Sequence, residues 1–193
     1  YLITANEGDA RDWAGYAEER RVSEVRLDPP NYPNAAELQQ PFNIGRLRIT
    51  AANGDLDGDG DYDMLHTFGG RSFSVWNPDA QMVWDSKNHL EIINALNYPA
   101  SFNLSNCDNA ADGRSDDKGP EPEAVTTGVI RGRTYAFVGL ERQSNIVIYD
   151  VTDPRGPYYI GQYSNRNPFA PIESPEAGDL GPEGIIFITA EQS

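Results

Sequence analysis

Four short runs rich in Val, Ile, Thr, Tyr and Phe follow one another at residues 124–130, 134–140, 145–151 and 158–163. β-Branched and aromatic residues suit a pleated, half-buried surface. The polar connections between the runs are too short for crossovers, so they join antiparallel neighbours. This stretch therefore predicts a four-stranded meander. Residues 72–76 and 81–85 add a hairpin, because they flank Asn77-Pro78-Asp79-Ala80, a cluster of turn formers. Residues 2–5, 47–50, 64–68 and 185–191 read as further short strands. Residues 90–96 suit either a short helix or a strand, and residues 35–40 suit one helical turn. The polar stretch 97–119 and the Pro-rich stretches 28–33 and 165–181 read as loops.

Two patterns recur. Gly-Pro-Glu precedes a strand at residues 119–121 and again at 181–183. An apolar run ends in glutamate at residues 3–7, 137–141 and 186–191. Meanders repeating at roughly 40–60 residues are the mark of a β-propeller. The expectation is an all-β fold: residues 1–193 form part of a single β-propeller domain, with about three to four blades. That number is below the usual range for closure, and both ends read as strands already under way. The domain is thus expected to be truncated at both ends, its remaining blades coming from the same protein or from a second chain. Glutamates at matching blade positions would converge on one axial opening.

Aspartate occupies alternate positions through Asp55, Asp57, Asp59, Asp61 and Asp63. Carboxylates this close repel one another unless a cation sits among them. A hard ion with many oxygen ligands suits the spacing, and calcium suits it best. Positions 1, 3, 5 and 9 of such a loop supply side chains, position 7 supplies its carbonyl, and Gly60 permits the sharp turn. An EF-hand would carry glutamate at position 12, where this chain has His66. With strand-like flanks, the expectation is a hairpin closed by calcium.

Glu7, Glu121, Glu123, Glu141 and Glu183, with Asp9, Asp116, Asp117, Arg114, Lys118 and Arg142, form a second constellation. Its carboxylates could hold calcium and its basic groups a phosphate oxygen. That mixture suits metal-assisted phosphoester hydrolysis, and it suits a structural ion-pair network equally well. Two histidines, His66 and His89, and no serine in a nucleophile elbow disfavour a zinc hydrolase.

The chain carries 15 Lys plus Arg against 30 Asp plus Glu, a formal charge of −15. This excludes a general nucleic-acid binder and disfavours anionic membranes. No stretch is apolar for long enough to span a bilayer. The lone Cys107 cannot form a disulfide within the chain and is expected to be buried or inert. Asn103-Leu104-Ser105 matches the N-glycosylation pattern.

Residues 1–12 (YLITANEGDARD), 54–73 (GDLDGDGDYDMLHTFGGRSF), 114–123 (RSDDKGPEPE), 135–154 (YAFVGLERQSNIVIYDVTDP) and 179–184 (DLGPEG) together resemble the choice-of-anchor I domain family. That group is similar to mesenchyme-specific cell-surface glycoproteins and to bacterial alkaline phosphatase-like propeller proteins. The resemblance implies a secreted or surface-anchored β-propeller. The expected function is calcium binding with a structural or ligand-binding role. The alternative is a calcium-dependent phosphoesterase, alkaline phosphatase-like or phytase-like, using the axial acidic cluster. Expected partners are the remaining blades and a small phosphorylated ligand or mineral surface, with no nucleic acid and no membrane insertion.

Overall fold

The computed structural model describes residues 1–192. In chain order the elements are β1 (Leu2–Ala5), β2 (Asp12–Trp13), β3 (Tyr16–Ala17), β4 (Glu19–Arg21), α1 (Ala35–Leu38), β5 (Arg48–Thr50), β6 (Phe73–Trp76), β7 (Met82–Asp85), α2 (His89–Asn97), β8 (Pro122–Ile130), β9 (Arg133–Leu140), β10 (Asn145–Asp150) and β11 (Tyr158–Tyr163). The strands form antiparallel sheets. With only two short α-helices among the described residues, the fold is all-β. No described helix is long and apolar enough to cross a membrane. The chain divides into two compact units, one comprising residues 1–7, 70–114 and 119 onward, the other Gly8–Gly69 and Ser115–Lys118.

In the first unit the expected meander forms in the order β11-β10-β9-β8. A three-stranded sheet, β1-β6-β7, joins the start of the chain to the expected hairpin, with Ile3 opposite Val75. The hairpin turn closes because Asn77 Oδ1 accepts the N–H groups of Asp79 and Gln81. Strand alternation then builds one core between the sheets. Ala136, Val138, Leu140, Val147 and Tyr149 meet Phe73, Leu90 and Ile93, with Ile3, Trp84 and Val125 packed at its border. Phe73 and Tyr149 meet edge to face with ring centroids 4.8 Å apart. Each buried side chain of this size contributes roughly 1.5–3 kcal/mol. Residues 90–96 prove helical: Leu90, Ile93 and Asn94 share the buried face of α2, a spacing of three to four residues that only a helix aligns.

The expected final strand does not form a ladder among the described residues. Residues 185–187 instead lie over the meander, where Phe187 stacks on Phe137 with centroids 5.7 Å apart. A Cβ at Gly128 would come within 2.4 Å of the Phe187 ring, so glycine is what admits it. Ile186 and Ile188 face outward, 81% and 57% exposed. The alternation is therefore expressed as packing on one side, without strand hydrogen bonds.

The second unit has its own small core of Val22, Leu27 and Ile49, bordered by Val25, Tyr32, Ile44, Leu47, Tyr62 and Leu65. Residues 115–118 are fastened to it by charge. Asp116 accepts Arg21 at 3.1 Å and Arg46 at 2.6 Å, while Arg48 reaches Glu19 at 2.6 Å. The expected hairpin around the aspartate run is corrected here. β5 pairs with β4, and residues 64–68 form no strand. The free edge of β5 receives one bond from that stretch's side, Thr50 N–H to the His66 carbonyl at 2.9 Å. The N–H groups of Asp63 and Met64 are turned back onto the Gly54 carbonyl, at 2.8 and 3.0 Å, and so cannot extend a ladder.

Candidate metal and carboxylate sites

The aspartate run folds as a loop closed at Gly54. Within it, one oxygen from each of Asp55, Asp57 and Asp63 lies within 4.8 Å of the others. Backbone donors hold all three, Asp57 accepting Asp59 N–H at 3.2 Å. Asp55 accepts Gly58 N–H at 2.7 Å and Gly60 N–H at 3.0 Å, and Asp63 accepts Leu56 N–H at 2.7 Å. Gly58 and Gly60 adopt φ of 82° and 92°, a region that suits glycine because it lacks Cβ. Asp59 lies outside this trio, and Asp61, expected to supply only its carbonyl, aims its side chain elsewhere. Its carboxylate is 2% exposed and turns to Arg26, 3.1 Å away. Burial raises its pKa, and the neighbouring Asp59 raises it further. Asp59 itself accepts Asp61 N–H at 3.0 Å. The donor set of Asp55, Asp57 and Asp63 is all oxygen and mutually repulsive, which fits a hard cation of calcium's kind.

The second cluster is assembled by strand ends in the first unit. Glu7 follows β1, Glu121 precedes β8, and Glu141 follows β9. The β8–β9 register sets Pro122 opposite Leu140, which brings Glu121 and Glu141 side by side. Glu141 N–H donates to the Glu121 carbonyl at 2.8 Å. Oxygens of Glu7, Glu121 and Glu141 then lie within 4.8 Å of one another.

Two arginines answer this charge. The Glu121 carboxylate, fully buried, is held by the guanidinium of Arg114 and by Arg142 Nε at 2.8 Å. Burial alone would raise Glu121, but these two cations hold it below the usual carboxylate range. Glu141 sits 2.9 Å from Arg142 Nη1 and accepts Asn106 Nδ2 at 3.1 Å. Burial, and then its hydrogen bond with Glu121, push Glu141 up to about 7. Glu123 is raised by burial first and then by Glu7 and Glu183, which puts those two carboxylates in its field. The expected glutamates are thus brought together with Arg114 and Arg142. Lys118, Asp9, Asp116 and Asp117 belong to the other unit, where Lys118 pairs with Asp9 at 2.8 Å.

Two participants escape sequence reasoning. Asn106 bonds both Glu141 and Arg142 from within the polar loop. Arg166 is buried and donates to the carbonyls of Arg142 at 2.9 Å, Ser105 at 2.6 Å and Asp108 at 3.0 Å, bracing that loop. The only available signal was a lone arginine in a Pro-rich stretch. Cys107, expected to be buried or inert, is exposed, because its loop leaves the core at Asn106. His89 is committed to the aromatic core through a hydrogen bond with the Tyr149 hydroxyl.

The family model of the choice-of-anchor I domain matches residues 1–154. Gigasin-3a of Magallana gigas is 36% identical over 118 residues, covering 58% of this chain and 41% of that protein. The mesenchyme-specific cell surface glycoprotein of Strongylocentrotus purpuratus is 29% identical over 184 residues, covering 78% of this chain and 24% of that protein. The chain spans less than half the length of these curated relatives. No solved structure matches it. The matched span runs from β1 through β10 and takes in both carboxylate clusters apart from Glu183, and the chain belongs to the choice-of-anchor I domain family.

Proposed function

We propose that this chain is part of an extracellular or cell-surface β-propeller that binds calcium through Asp55, Asp57 and Asp63 and has a structural or ligand-binding role. The reading rests on the gathering of those three carboxylates within 4.8 Å in a loop whose own N–H groups orient them. A calcium ion there would offset their repulsion and take further oxygens, the Asp61 carbonyl being the one that the spacing reserves. Propeller architecture is supported by the three- and four-stranded sheets that share one core. The one-sided packing of Ile185 and Phe187 suits the first strand of a further blade, from the same protein or a second chain. The extracellular setting is supported by the relative named as a cell surface glycoprotein. The −15 charge suits a calcium-bearing mineral surface as the ligand.

Thermal melts test this. Calcium at about 10 mM is expected to raise Tm by about 5 °C if the affinity is that of extracellular modules, near 10⁻⁴–10⁻³ M. Chelation should reverse the shift, and a combined Asp55→Asn and Asp63→Asn variant should show none. Identical melts of the wild type with calcium and with chelator would overturn the reading.

Glu141 favours a second reading, because a carboxyl near 7 beside Arg142 is poised for proton transfer at neutral pH. In that reading the glutamate cluster is a calcium-dependent phosphoesterase centre acting on a small phosphorylated ligand. Turnover of a phosphomonoester or diester should then need calcium and be lost in Glu141→Gln and Glu183→Gln. The absence of turnover by the full chain would remove it.

A further inference from the structure

We infer that Asn103, the acceptor of the chain's one N-glycosylation sequon, is a buried strut behind the glutamate cluster and carries no glycan in the folded protein. A glycan leaves the asparagine amide for solvent, so an acceptor side chain must lie at the surface. Asn103 and Leu104 are both fully buried. The Asn103 Nδ2 that a sugar would occupy donates to Glu91 Oε1 at 3.0 Å. The same carboxylate oxygen receives Arg71 at 3.0 Å. A sugar on Nδ2 would have to displace this packed, charged neighbourhood.

The backbone of Asn103 is occupied as well. Its N–H donates to Gln143 Oε1 at 3.1 Å, and its carbonyl accepts Arg114 N–H at 2.9 Å. Gln143 is tied in turn to Ser101 Oγ at 3.1 Å. Asn103 adopts φ of 45°, a left-handed conformation that asparagine tolerates better than most residues. The links run from α2 through Glu91 and Asn103 to Arg114, whose guanidinium holds Glu121. Asparagine is therefore explained at this position by its amide, its φ and its place in that relay.

The test expresses the full chain through a eukaryotic secretory pathway and treats the secreted, protease-resistant fraction with an N-glycosidase. Wild type and Ser105→Ala should migrate identically before and after treatment. Gly132→Asn is the positive control. It completes an acceptor triplet with Arg133 and Thr134 on the exposed β8–β9 turn, where a Cβ meets nothing within 4 Å. That variant should shift. A shift in folded wild type that Ser105→Ala abolishes would overturn the inference. Bacterially produced protein tests the strut itself. Asn103→Gln should lose about 5 °C in Tm, while Ser105→Ala stays within about 2 °C of wild type. Equal melting of Asn103→Gln and wild type would show that Asn103 holds nothing in place.

Discussion

Glu121→Gln is expected to lower the Tm of the chain by roughly 10 °C, and Glu121→Ala by more. Glu121 is fully buried and is held by two guanidinium groups, those of Arg114 and Arg142. Removing one member of a buried ionic network costs about 3–5 kcal/mol, because the partner charge stays desolvated without its counterion. At this chain length each kcal/mol is worth about 2–4 °C. Gln keeps an acceptor for Arg142 Nε, which is why it is the milder change. Arg142 also retains Glu141 at 2.9 Å, so the loss falls mainly on Arg114. Near-ultraviolet circular dichroism melts measure the effect. A Glu121→Gln Tm within about 2 °C of wild type would mean that the cluster adds nothing to the stability of the first unit.

What sequence reasoning could reach follows the range of the interactions involved. The meander β8–β11 and the β6–β7 hairpin are legible because each strand pairs with its neighbour in sequence. The turns between them carry their own chemistry, as Asn77 does for Asp79 and Gln81. β1 pairs with β6 across the whole second unit, and β5 pairs back to β4, so neither partner is written nearby. That is why residues 64–68 read as a strand: their apolar character is real, but it serves the core around Leu27, Ile49 and Leu65. The glutamates were legible because they recur at strand ends, where register brings Glu7, Glu121 and Glu141 together. Their arginine partners were only half legible. Arg114 and Lys118 stand four positions apart in one charged stretch, yet the chain gives Arg114 to Glu121 and Lys118 to Asp9. Which member of a charge run faces which unit depends on tertiary packing, and no periodicity records it. Asn106 and Arg166 lie in irregular loops, where only the finished structure supplies a partner.

Glu141→Gln should act in the opposite direction to Glu121→Gln and should do so only at higher pH. The folded chain holds the Glu141 proton up to about 7, against 4.5 for the ordinary group. Between those values the native state binds more protons than the unfolded state, so stability falls as pH rises through the window. Above it the penalty is complete, and below about 4.5 it is absent. Gln cannot ionise, and its side-chain oxygen can still accept Asn106 Nδ2 and Arg142 Nη1. The variant should therefore match wild type near pH 4 and exceed it by about 2–3 kcal/mol near pH 8. Urea unfolding at both pH values measures this. Equal stability at pH 8 without metal would mean that burial and Glu121 exert no net strain on Glu141. Repeating the pH 8 measurement with calcium separates the two readings of the cluster. An ion among Glu7, Glu121 and Glu141 would stabilise the ionised wild type and narrow or reverse its deficit against Glu141→Gln. Calcium held only by Asp55, Asp57 and Asp63 would raise both proteins alike and leave the difference between them unchanged.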